Sequence, residues 1–188
     1  RGKLLWRTTE WNPSIAVASP LYLGNGEIAA FGSYGAGTAR IEISKDESGF
    51  KAAVREQHKS SGGIASEQHT PILTGNHLWA VMPENAGPLK RQLACYSISN
   101  LKTPVWSSGK ESRFGKCMGP FILSGKQLYL LDDEGTLNLF MIESTSATLI
   151  SSHKILEAIE AWSPMAIAGK YLIMRDSHNM LCLDISKK

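Results

Sequence analysis

Five side chains have the types and positions to touch a ligand: Gln68, His69, Arg113, Trp162 and Arg175. Histidine titrates near neutrality and can move a proton. Acid–base catalysis also needs a nucleophile or carboxylate within hydrogen-bond reach, and the sequence places none beside His69. The expectation is a ligand-contacting rim with no catalytic residue. The alternative left open is that His69 and Trp162 pack a channel and bond to main chain. The densest carboxylate run is Asp132-Asp133-Glu134. Adjacent carboxylates suit calcium, but the spacing is not that of an EF-hand, and Gly135 makes the run a hairpin turn. No metal site is expected. Arg175-Asp176 reads as an ion pair. Cys95, Cys117 and Cys182 match no zinc or CxxC spacing, and an odd count leaves at least one thiol free. Cysteine behaves as a small hydrophobe, so buried strand positions are expected for all three.

The elements that position these residues are repeats. Four segments share one grammar: Ser19-Pro20 to Phe31, Thr70-Pro71 to Val81, Gly119-Pro120 to Leu131, and Ser163-Pro164 to Met174. Each reads small residue, proline, short apolar strand, glycine turn, second apolar strand. Proline donates no hydrogen bond and belongs at a strand's start. Glycine with Asn or Lys makes the tight hairpin. The prolines at 20, 71, 120 and 164 recur at the spacing of a propeller blade, about 40 to 50 residues. A third strand follows each hairpin: Arg40–Ser44, Cys95–Ser99, Leu139–Glu143 and Cys182–Ser186. A fourth is visible as Ala52–Arg55, Thr103–Trp106 and Thr148–Ser151.

The predicted fold is all-β: a β-propeller of four-stranded antiparallel blades, with four blade units at roughly 9–58, 59–109, 110–154 and 155–188 of a single domain. The last unit has no fourth strand. Lys3-Leu4-Leu5-Trp6-Arg7 resembles the Pro104-Val105-Trp106 strand, so residues 1–8 are expected to form an outer strand. It would close a four-bladed ring, or the chain is half of an eight-bladed one; the second is expected. The start at Arg1-Gly2-Lys3, without an initiator Met, fits a chain processed or cut from something longer. The one stretch with helical potential, Lys154–Ala161, is short and reads as a loop or single turn. Gly62-Gly63 and Pro83–Pro88 read as loops.

Aligning the repeats puts Ala18, His69, Met118 and Trp162 at one equivalent position. The first strand of a blade lines the channel, so these four should gather near one mouth, with Gln68 and Arg113 nearby. The net charge of +3 is spread along the chain, and Lys90-Arg91 is its only basic pair of note. Phosphate binding needs clustered cations, so nucleic acid is not an expected partner. No apolar run approaches the roughly 20 residues of a membrane-spanning helix.

The blade-closing residues Arg1-Gly2-Lys3-Leu4-Leu5-Trp6, Leu181-Cys182-Leu183-Asp184 and Val105-Trp106 resemble the pyrroloquinoline-quinone-type propellers. Further matches are Gln68-His69-Thr70-Pro71, Phe114-Gly115 before Gly119-Pro120, Leu130–Leu137, and Trp162-Ser163-Pro164 with Arg175-Asp176. These are similar to a bacterial quinoprotein-like, BamB-like subset. The resemblance implies an extracytoplasmic, periplasmic setting, and Trp6 and Trp106 packed between blades. The family's dehydrogenases carry adjacent cysteines and a calcium-binding Glu, Asn and Asp set; this stretch has neither. The expected function is therefore a non-catalytic scaffold binding a protein, polysaccharide or small ligand at the channel mouth or loops, without a cofactor. The alternative is a quinone-dependent dehydrogenase using pyrroloquinoline quinone and calcium, with its site largely in another half of the ring. Cys95 and Cys182 lie in blades that are not neighbours, so no disulfide is expected between them.

Overall fold

The computed structural model describes residues 2–116, 118–157 and 160–186. Four antiparallel sheets follow one another along the chain, each ordered as in sequence. The first holds β1 (Leu21–Gly24), β2 (Glu27–Gly32), β3 (Gly37–Asp46) and β4 (Gly49–His58). The second holds β5 (Ile72–Thr74), β6 (His77–Val81), β7 (Leu93–Ser97) and β8 (Asn100–Ser107). The third holds β9 (Phe121–Ser124), β10 (Gln127–Leu131), β11 (Thr136–Ile142) and β12 (Ala147–Lys154). The fourth has three strands: β13 (Ala166–Ala168), β14 (Tyr171–Arg175) and β15 (Met180–Asp184). Two short 3-10 turns, Ser60–Gly62 and Gly87–Leu89, overlap the segments read as loops.

The first hairpin of each sheet is built alike. At Asn25-Gly26 both φ angles are positive, at 50° and 80°, as a tight primed turn requires. A Cβ on Gly26 would come 2.6 Å from the Ile43 carbonyl oxygen. That closeness has a purpose: Ile43 N–H donates to the Gly26 carbonyl at 2.7 Å. The same bond recurs from Ile98 to Asn76, Ile142 to Lys126 and Ile185 to Lys170, at 2.8–2.9 Å. One isoleucine per repeat ties the hairpin tip to the third strand.

Strand side chains alternate between faces, and in the second and third sheets both faces are apolar because each has a neighbouring sheet on either side. In β6, Leu78 and Ala80 join Ala29 and Phe31 of the first sheet, while Trp79 and Val81 join Leu128 and Leu130 of the third. In β10, Tyr129 and Leu131 turn the other way, to Leu172 and Met174 of the fourth. Three cores result, one at each seam. On the far side of the first sheet, Ala30, Ala39 and Ile41 are covered by Trp11. The far side of the fourth sheet has no cover: Tyr171, Met180 and Cys182 are exposed there.

Three expectations need correction. Residues 3–7 form no strand, and Leu4 is 73% exposed. The last blade, which they would complete only in a four-bladed ring, is the fourth sheet along the chain, and they pair with no strand of the first. Trp6 accordingly sits outside any strand, whereas Trp106 lies 5.8 Å from Trp79 on the same sheet, on the face turned to the third. Cys182 is exposed because its face is uncovered, while Cys95 is fully buried; both are free thiols. Cys117 lies outside the described residues, as do Ala158 and Ile159 of the stretch with helical potential, whose described part forms no helix. No helix among the described residues is long and apolar enough to cross a membrane.

Candidate ligand-binding rim

Hairpin pairing places Pro71, Val81, Leu93 and Ser107 at one end of the second sheet. The segments entering each sheet, at 18–20, 69–71, 118–120 and 162–165, occupy the corresponding ends. Loops joining neighbouring sheets meet there, and side chains commit them to one another.

His69 is the central pin. Its Nε2 donates to the Met118 carbonyl at 3.1 Å, and its ring meets Phe121 edge-on at 6.0 Å. Ser66 Oγ donates to the His69 carbonyl. Burial pushes the imidazole below its ordinary titration range, and hydrogen bonds to the Met118 and Trp162 main chain pull weakly the other way. His69 of the second sheet thus reaches the entry segments of the third and fourth. Ser19 N–H donates to Thr70 Oγ1 at 2.8 Å, which brings in the first. His69, Met118 and Trp162 thus come together, and the first sheet joins them through Ser19 and Thr70.

The remaining candidates divide. Trp162 is 39% exposed. Gln68 is half-buried beside His69. Arg113 is exposed on the connection between β8 and β9, at the same end of the second sheet, where Phe114 N–H donates to the Arg91 carbonyl at 2.8 Å. Arg175 ends β14 and donates from Nε to the Asp176 main-chain oxygen at 3.0 Å. Asp176 Oδ1 instead caps its turn, accepting from the His178 and Asn179 N–H groups. A hollow of about 240 Å³ beside Arg175, lined also by His178, Asn179 and Met180, is separate from His69.

Carboxylates at this end are committed to loops. Asp132 Oδ1 accepts from the Glu134 and Thr136 N–H groups, and Asp133 Oδ1 from Lys116 N–H at 2.6 Å. Burial raises Asp132 above the usual carboxylate range. Glu67, buried, accepts from Tyr34 N–H at 2.6 Å and takes the Ser33 hydroxyl on its carbonyl, sewing the first sheet to the second. Lys90 and Arg91 both pair with Glu84 in a solvated loop. No group of three or more His, Cys, Asp or Glu side chains among the described residues is placed to hold a metal ion.

Sequence reasoning missed a hollow of about 380 Å³ on the first sheet, lined by Trp11, Gly35, Ala36, Gln57, His58 and Lys59. His58 Nε2 is buried against Gly63 without a hydrogen-bond partner. Nothing in the sequence pairs Trp11 with His58, because Trp11 precedes the repeats and belongs to no periodic pattern.

No protein-family model and no curated protein sequence matches the chain. Solved structures share its architecture. It superposes on the computationally designed Ika4 protein over 99% of its own length and 100% of that chain, with 11% identity and a TM-score of 0.61. A second computational design, Ika8, matches over 98% of this chain and 50% of that one, with 13% identity and a TM-score of 0.64. BamB from Moraxella catarrhalis matches over 96% of this chain and 49% of that one, with 10% identity and a TM-score of 0.61. The fold is a β-propeller. The chain spans the whole of Ika4 but about half the length of Ika8 and BamB. Identities this low speak for the propeller and its blades, not for its chemistry.

Proposed function

We propose that this propeller is a non-catalytic scaffold that binds a protein or polysaccharide ligand at the channel mouth, in an extracytoplasmic setting. One observation carries the reading: the groups that would do chemistry at the mouth are spent on holding blades together. His69 is held between the second, third and fourth blades, and Asp132, Asp133 and Glu67 pin turns. What remains outward-facing is the Trp162 indole, with Gln68 beside His69. An exposed aromatic on a rigid frame loses little entropy when a sugar ring or an apolar side chain stacks on it.

Pyrroloquinoline quinone with calcium does not fit the residues present. Adjacent cysteines are lacking, and the acidic run is consumed by the β10–β11 turn. In the dehydrogenase reading this chain supplies a wall of the site and no calcium ligands.

The test is affinity electrophoresis through soluble polysaccharides, with pull-down from a periplasmic extract as the protein arm. Trp162→Ala lowers retention at least about tenfold, the worth of one buried aromatic contact, and leaves the unfolding midpoint unchanged. Dye reduction that depends on added quinone and calcium would overturn the scaffold reading, as would binding indifferent to Trp162→Ala.

A further inference from the structure

The basic groups near the mouth differ in what holds them. Lys90 and Arg91 stand side by side, and both meet the Glu84 carboxylate. The connection from the second blade to the third has the opposite arrangement. It carries Lys110, Arg113 and Lys116 against one carboxylate, Glu111. All four are exposed, and none forms an ion pair among the described residues. This connection crosses the second seam, with a formed blade on either side.

The loop needs no ligand to take its shape. Ser108 N–H donates to the Leu93 carbonyl at 2.9 Å, and Ser112 N–H to the Gly109 carbonyl at 3.1 Å. Ser108 Oγ accepts from Leu93 N–H at 3.2 Å and donates to the Ser112 carbonyl at 2.8 Å. Phe114 N–H donates to the Arg91 carbonyl at 2.8 Å, and the Phe114 ring meets Phe140 edge-on at 5.6 Å. Lys116 N–H donates to Asp133 Oδ1 at 2.6 Å. Gly115 has a φ of 48°, and a Cβ there would strike the same carboxylate. Residues 108, 112, 114 and 116 are thus tied to main chain or to Asp133, and the cations ride on a fixed frame. A loop ordered beforehand loses little entropy on binding.

Such a loop selects negative charge. Acidic polysaccharides and acidic peptides both supply carboxylates. A polysaccharide also presents many hydroxyls, which need side-chain amides and carboxylates as partners. Glu111 excepted, those groups are spent here. Asp133 holds Lys116, Asp132 holds its own turn, and the Gln92 amide donates to the Pro88 carbonyl at 2.8 Å. An acidic peptide asks chiefly for cations, and the arginine fork matches a carboxylate in two places.

We propose that residues 110–116 are a docking loop for an acidic peptide segment of a partner protein, its carboxylates pairing with Lys110, Arg113 and Lys116. The inference rests on the scaffold reading of this mouth and narrows its ligand to a protein. Exposed pairs are individually weak, so the loop steers encounter and makes binding depend on salt.

Fluorescence anisotropy with a labelled octapeptide of alternating glutamate and leucine reads the loop directly. The peptide should bind, and raising the ionic strength from about 0.05 M to about 0.5 M should weaken it. Its glutamine counterpart should not bind. Arg113→Glu replaces an attraction by a repulsion and should weaken binding at least about fivefold, with the unfolding midpoint unchanged. Lys126→Glu changes the same charge at the β9–β10 turn, at the other end of the third blade, and should leave binding unchanged. No binding of the acidic peptide overturns the inference, as does binding indifferent to Arg113→Glu or equal loss in Lys126→Glu. Polygalacturonate retained through Arg113 while the peptide does not bind also overturns it. Each of these leaves the scaffold reading standing, because that reading fails through Trp162→Ala or quinone-dependent dye reduction, neither of which involves this loop.

Discussion

Cys95 and Cys182 hold the same register position in blades two and four, opposite Trp79 and Ile173 on the preceding strand. One is fully buried and the other exposed. Their strands, turns and hairpin bonds are equivalent, so the local chain does not explain the difference. The neighbour does. Blade three seals the Cys95 row with Leu128, Leu130 and Phe140, and among the described residues no other blade seals the Cys182 row. A propeller blade has no inside of its own: either face becomes core only when another wedge covers it.

Truncation at matched places should widen this contrast most. Trp79→Ala removes a fully buried indole from the sealed seam and is expected to cost about 3–5 kcal/mol in urea unfolding. Met180→Ala, on the uncovered face where the side chain is 69% exposed, should change stability by less than about 0.5 kcal/mol. A loss above about 1 kcal/mol at Met180 would show that the face is covered after all.

Thiol reactivity sharpens the same contrast. Burial pushes the Cys95 thiol up to about 12, so almost no thiolate forms near neutrality. Labelling of the native protein by a disulfide reagent at pH 8 should mark Cys182 at least about a hundredfold faster than Cys95. Peptide mapping reads the two sites apart, and Cys95 should react only on unfolding.

The smallest effect is on pH. Burial lowers both His69 and His58 below the ordinary 6.5, so folding favours their neutral forms. The unfolded chain therefore takes up protons first as pH falls. Stability should be intact above pH 6.5 and decline as pH drops through 6.5 toward the lower folded values. His69→Phe should flatten the decline between pH 7.5 and 5 in paired urea titrations. An unchanged slope would mean that His69 is already solvated at the mouth.

Much of the fold is legible in the sequence. Pro20, Pro71, Pro120 and Pro164 mark the entry of each sheet, and the Gly-Asn and Gly-Lys pairs mark its first turn, because proline and glycine restrict the chain locally. Asp132–Gly135 was readable as a turn for the same reason. The gathering of His69, Met118 and Trp162 followed from repeat alignment, since equivalent positions in stacked wedges share one end of the stack. The Trp11 and His58 hollow was not legible, because its walls come from outside the repeat pattern.

Strand order, hairpin register and the two-faced apolar alternation of each blade are written in residues close along the chain, where main-chain bonding and side-chain period are local properties. Which of those faces becomes interior is settled by what stands beside it in space. That is why Trp106 packs in a seam while Trp6, in nearly the same sequence, lies outside any sheet.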